Sequence, residues 1–294
     1  MVNKYLLVFC FFSYLSLAQK HNSFWKDSDS LNKKRLVGSS VTIASIYAGS
    51  IISLQQVWYK DSFQKDFNFF NDGKNWLQMD KAGHVFTGYY LSSILAGNFR
   101  WNGMEEKKSN LIGGVIGVSY LTSLEIMDGF SKDWGFSLWD MTSNVGGAAL
   151  FIGQKYAFSK QIFIPKFSFH TTKYAAIRPE VLGSNFPEQL LKDYNGQTYW
   201  LSFSPGNLGL KSFPKWLCLS FGYSADEKLV GNSEYYNEYI SKREFLFSLD
   251  IDLNELNVKN EFLKKMLKQI NLIKIPFPAL YFKESKFGVF PLYF

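Results

Sequence analysis

The chain is poor in cysteine and histidine. Cys10 and Cys218 are its two cysteines, and Cys10 sits in an apolar N-terminal run, so no internal disulfide can staple the remainder. Stability must come from a packed core or from lipid. Nucleophile motifs are missing too: there is no G-x-S-x-G turn, and Cys218 alternates within a strand-like pattern that suits packing. The "GGVIG" at 113–117 lies inside a helical pattern rather than after a strand, which excludes a phosphate-cradling loop. The net charge is +7, yet the basic residues are scattered and "KKR" at 33–35 is the one tight cluster. A nucleic-acid partner is therefore not expected. Attraction to anionic lipid headgroups remains compatible with that charge.

What is present begins with an export signal. Lys4 precedes "YLLVFCFFSYLSL", and Ser16, Leu17 and Ala18 form the small-x-small ending of a secretory signal over residues 1–18, cleaved near Ala18. Leu7, Val8 and Phe9 put bulk before Cys10, where lipid attachment wants a small residue. The expected location is the periplasm or the outer membrane, with a short tail over 19–35.

Residues 36–58 carry no charge and, at about 1.5 Å per residue, are long enough to cross a bilayer. They are also rich in Gly, Ala and Ser, which let helices approach closely, so a buried bundle helix and a membrane helix both fit. Segments 83–98, 109–125 and 138–153 share that character, and 36–157 reads as a helical domain of about four glycine-rich helices.

From 158 to 294 the period changes to two. In "EFLFSLDIDL" Phe245, Phe247, Leu249 and Ile251 share one face and Glu244, Ser248, Asp250 and Asp252 the other, which reads as a half-buried strand with a wet polar side. "WLCLSFGY" and "QTYWLSF" repeat the pattern, and an amphipathic helix is predicted over 259–273. About five strands are too few for a closed membrane barrel, which needs about eight. The class is α+β: a helical bundle, then a β-rich half with one amphipathic helix.

Chemistry-bearing residues concentrate at helix ends. Asp80 and His84 are four apart, as are Asp140 and Asn144, while Glu125 and Asp128 are three apart, so each pair shares a helical face. If the ends meet, His84, Glu125, Asp128 and Asp140 form a candidate catalytic set, and the same four could ligate a divalent metal such as Mn, Fe or Zn. The plainer account is a buried hydrogen-bonded network: Ser137 with Asp140 resembles a capping box, and Asp80 suits a helix start. Binding of a ligand or lipid headgroup, with Asp80, Lys81 and Asn144 contributing, is the third possibility. Asp133, in "SKDWG", is expected to be solvated.

The run "DKAGH … LEIMDGF … GFSLWDMTSNVGGA", with "KFSFHTTKYAAIRPEVLG" and later segments, resembles the YfiM-like family of uncharacterised bacterial envelope proteins, described as predicted periplasmic lipoproteins. That resemblance implies an envelope location and no particular activity. The order Asp80-Lys81, His84, Glu125, Asp140, Asn144 and Gly147 is also similar to VanZ-like membrane proteins, although Asp128 stands where those tend to have glutamine. The expected role is that of a membrane-associated envelope protein with a structural or binding function, its partner a membrane lipid or envelope component. The alternative is a hydrolase or transferase acting on a lipid or envelope precursor, with His84 as acid and base.

Overall fold

The computed structural model describes residues 22–59 and 62–294, so the expected signal segment lies outside the described residues. Four long helices come first: α1 Lys33–Leu54, α2 Met79–Trp101, α3 Glu106–Gly129 and α4 Leu138–Phe158. Each start has a local cause where a cap is made. The Asn32 side chain accepts from the Arg35 amide, and Ser137 accepts from the Asp140 amide.

Helix α2 is the hub, packed along both α3 and α4. Its approach depends on small residues. A Cβ at Gly147 on α4 would collide with the Val85 carbonyl of α2, and one at Gly88 would collide with the Asn144 carbonyl, so the two backbones touch where both helices lack side chains. Helix α1 leans on this unit with none of its residues buried, tied by the Tyr47 hydroxyl to Ser123 and by Arg35, whose guanidinium lies 4.6 Å from the Trp101 ring centre. Among the described residues, α1 and α3 are long and apolar enough to cross a membrane by length and composition, and about a third of the apolar stretch of α3 is buried.

The second half is an antiparallel sheet in the order β1-β2-β3-β6-β7-β8, formed by β1 Ile164–Phe169, β2 Gln197–Phe203, β3 Leu217–Asp226, β6 Lys242–Ile251, β7 Phe277–Lys283 and β8 Lys286–Tyr293. A two-stranded hairpin, β4 Tyr235–Tyr236 with β5 Tyr239–Ile240, is inserted before β6. Helix α5, Glu261–Ile270, joins β6 to β7 and is shorter at both ends than the predicted 259–273. The α+β class holds.

One expectation is reversed. The polar side of "EFLFSLDIDL" is not wet: Glu244, Ser248, Asp250 and Asp252 are buried, while Phe245 and Leu249 face outward. The register carries this inversion across the sheet. Ser202 pairs with Ser220 and Ser220 with Ser248 on the inner side, whereas Leu201 pairs with Phe221 and Phe221 with Phe247 on the outer. The cause is an interior built from hydrogen bonds. Lys166 Nζ reaches Asp250 at 2.8 Å and the Ile251 carbonyl at 2.6 Å, Ser202 donates to Asp250 at 2.8 Å, and the Trp200 indole donates to Ser168 at 3.0 Å. Both partners of the Lys166–Asp250 pair have 0% side-chain exposure. Such a pair persists only when its remaining valences are satisfied, as they are here.

The close approach of α2 and α4 predicts a contrast between adjacent glycines. Gly147→Ala should destabilise by about 1–3 kcal/mol through overpacking. Gly146 is exposed with open space where its Cβ would stand, so Gly146→Ala should be neutral or stabilising by up to about 1 kcal/mol from helix propensity. Denaturant unfolding of the two variants measures the difference.

Candidate functional site

The chain enters α2 through a left-handed turn. Trp76, Leu77 and Gln78 have φ of 51, 53 and 64 degrees, a conformation that costs non-glycine residues of order 1–3 kcal/mol each and must be held from outside. It is held by the second half of the chain. The Trp76 amide donates to the Gly231 carbonyl at 2.8 Å, and the Leu77 carbonyl accepts from Arg243 at 3.0 Å and from the Tyr223 hydroxyl. Asp80, Lys81 and His84 follow on the first turns of α2.

Lys81 occupies the centre. Its ammonium lies 2.6 Å from Asp140, 2.7 Å from Asp72 and 2.8 Å from Asp80, and its side chain is largely buried. Burial alone would pull the Lys81 pKa down, but Asp80, Asp140 and Asp72 together raise it above the usual lysine range, so the ammonium stays charged. Asp72 is drawn up by burial, yet hydrogen bonds from Lys81 and from the Ser137 hydroxyl, 2.5 Å away, hold it below the ordinary carboxylate value.

His84 stands beside this knot. Its Nδ1 donates to Asn144 Oδ1 at 3.0 Å and lies 3.9 Å from Glu125, while Nε2 lies 3.3 Å from Asp140 and 3.6 Å from Asp80. Among the described residues Glu125 has no basic group closer than that imidazole; it accepts from the Ser137 amide at 3.4 Å and is 2% exposed. Burial first, then the charges of Asp140 and Asp128, push Glu125 up to about 9. Burial and Asp80 bring Asp140 to about 7, and burial brings Asp128 to about 6 despite the Tyr59 hydroxyl, which donates to it at 2.7 Å. Burial thus favours the protonated form of Glu125 at neutral pH and raises Asp140 from the ordinary carboxylate range, against the pull of Lys81.

The structure thus brings His84, Glu125, Asp140, Asp80, Lys81 and Asn144 into one cluster, with Asp128 at its edge, near enough for its charge to act on Glu125 and bonded by Tyr59. Asp133 is exposed and apart. Among the described residues, one ligand atom each of Asp80, His84 and Asp140 lies within 4.8 Å of the others, a trio that shares His84 and Asp140 with the set read from helical spacing. Three partners had no sequence signal: Asp72 arrives from a loop, Tyr59 from the π-helical turn Gln55–Tyr59 after α1, and Tyr194, which donates to Asp80 at 2.9 Å, from the segment before β2.

Two outcomes follow for stability. Glu125→Ala, at a buried and hydrogen-bonded position, should cost about 1–3 kcal/mol, while Asp133→Ala should stay within about 0.5 kcal/mol. The raised Glu125 pKa means that its proton is retained in the folded chain and lost in the unfolded one above about pH 4.3. Its contribution is complete below that pH and declines as pH rises toward about 9, with a slope of at most about 1.4 kcal/mol per pH unit. Unfolding curves at pH 5.5 and 8 should show this loss in the wild type and a smaller loss in Glu125→Gln.

Residues 66–153 match the model of a family described as "Predicted periplasmic lipoprotein (DUF2279)", a stretch that runs from the loop before α2 through most of α4 and carries every cluster member except Tyr59 and Tyr194. The match begins beyond Cys10, so it does not bear on lipidation there. No curated protein and no solved structure matches the chain. The similarity supports an exported, envelope-associated protein of an uncharacterised kind, and the cluster built around Lys81 lies within the matched stretch.

Proposed function

We propose that the chain is a membrane-associated envelope protein with a structural and binding role, in which the Lys81 cluster locks the ends of three helices and presents one polar opening. The observation that carries this reading is the closure of three carboxylates on a single ammonium. The place a metal would take among Asp80, His84 and Asp140 is already served by Lys81, which neutralises two of those three groups. What remains accessible is the His84 side, with side-chain exposures of 25% for His84 and 22% for Asp80. Beside it, Asn144 Nδ2 is a buried donor with no acceptor among the described residues, a deficit that costs of order 1–3 kcal/mol. A hydroxyl-bearing part of an envelope component would meet His84 and Asp80, the partly exposed members of the cluster, and donate to the Asp80 carboxylate.

One feature favours the second reading, a hydrolase or transferase acting on a lipid or envelope precursor. His84 is oriented by Asn144 on one nitrogen and faces Asp140 with the other, the arrangement of an acid–base histidine. Glu125 and Asp128 would then orient the ring, and no nucleophile of the chain is required if water attacks.

Elemental analysis separates the resident-lysine account from a metal-dependent one. Purified full-length protein should contain well under one transition metal per chain, and a chelator should leave its melting temperature unchanged. One equivalent of Zn, Mn or Fe per chain, with a chelator-induced loss of several degrees, would overturn the proposal.

A further inference from the structure

The outer face of the sheet is the largest feature that the Lys81 cluster leaves unexplained. Phe221, Phe245, Leu249, Leu280, Phe287 and Val289 point away from the interior on β3, β6, β7 and β8, with exposures from 40% for Leu249 to 81% for Phe287. The register sets them side by side: Phe245 opposes Phe282, which opposes Phe287, and Leu280 opposes Val289. A soluble protein rarely exposes a contiguous apolar patch beyond a few hundred Å². Here the chain also does the converse, turning its Ser, Thr, Lys, Asp and Glu side chains inward. Polar-in and apolar-out alternation is the pattern of a sheet facing hydrocarbon.

The helical bundle covers one corner of this face. Phe86 of α2 meets Phe167 and Tyr199 at ring-centre distances of 5.9 Å, and beside that contact an apolar cleft of about 280 Å³ opens between α2 and the sheet, floored by Leu201 and Phe221. The cleft is continuous with the uncovered face through Phe221. Basic and aromatic groups frame the far end: Trp216, Leu208 and Leu210 are exposed on the loop between β2 and β3, which also carries Lys211 and Lys215. Tryptophan and lysine at the margin of an apolar band suit the headgroup region.

From this inverted polarity we infer that the outer face of β3, β6, β7 and β8 is a lipid-contact surface that rests in the acyl region of one membrane leaflet, with the cleft under α2 taking acyl chain. The inference names the contact surface for the membrane-associated reading proposed above and rests on it. Crossing the bilayer is not implied. The outer edge of β1 is covered by residues 272–274, but β8 ends the sheet with no strand partner among the described residues, so the strand backbones stay at headgroup level, where water pairs that edge, and the outer side chains alone dip into hydrocarbon.

The test uses full-length protein and vesicles of phosphatidylethanolamine and phosphatidylglycerol. In a Cys10→Ser background, single cysteines replace Phe245, Val289 or, as a control, Asp133, and each carries an environment-sensitive fluorophore; Cys218 is fully buried, and burial pushes its thiol up to about 12, so it stays unlabelled. Flotation with vesicles, a blue shift and quenching by acyl-chain nitroxides at 245 and 289 but not at 133 are expected. The double variant Phe245→Ser/Val289→Ser should partition at least tenfold more weakly while keeping its far-ultraviolet spectrum. Flotation without the blue shift at 245 and 289 would overturn the surface while sparing membrane association. Absence of flotation would remove both. A blue shift that appears without lipid, accompanied by a dimer in sedimentation, would assign the face to a second copy and overturn the inference.

Discussion

Everything at the junction of the two halves depends on one ammonium held by three carboxylates. Lys81 draws Asp80 from its own helix, Asp140 from the start of α4 and Asp72 from the preceding loop, and Asp80 is in turn bonded by Tyr194 from the segment that leads into β2. Without that charge the same oxygens would repel one another in a poorly solvated space, at a cost of several kcal/mol. Glu125 shows the consequence of lying just beyond its reach: a carboxyl that is buried, and paired with no cation closer than His84 among the described residues, keeps its proton instead.

The sheet solves the opposite problem by the same means. Its interior concentrates hydroxyls and charges, and Lys166 with Asp250 repeats at the centre of the sheet what Lys81 does at the helix ends. Helices that meet through glycine and a sheet that hides its polar rows both leave apolar atoms on the outside. The two halves are joined where the sheet clasps the strained turn before α2 through Tyr223 and Arg243, so the entry to the site is set by the β half even though its residues come from the helical half.

Much of the cluster was legible because its spacing is helical. Asp80 to His84 and Asp140 to Asn144 are one turn apart, and the small residues around them announced helices close enough for those ends to meet. Asp72, Tyr59 and Tyr194 were not legible, since a loop, a π-helical turn and a distant segment carry no periodicity that points toward α2. Lys81 stood in the motif, but its role as central counter-charge required the third carboxylate from the loop. In the sheet the alternation itself was readable at Phe245, Phe247 and Leu249. Which side faces inward was not, because a period of two is symmetric between its faces; the small inner residues Ser202, Ser220, Gly222, Ser224 and Ser248, stacked against outer aromatics, were the available sign.

The central claim, that Lys81 is the resident cation of the site, is tested most directly by a double-mutant cycle with Lys81→Met and Asp140→Asn, read by denaturant unfolding at pH 8, on the alkaline side of the raised Asp140 value. Removing Lys81 alone from a pair this buried should cost about 3–5 kcal/mol, because the carboxylates left behind lose their counter-charge. Removing Asp140 as well should recover part of that cost, giving a coupling energy of about 1–3 kcal/mol between the two positions. Strict additivity, with Lys81→Met no more harmful than substitution of an exposed lysine such as Lys132, would contradict the account.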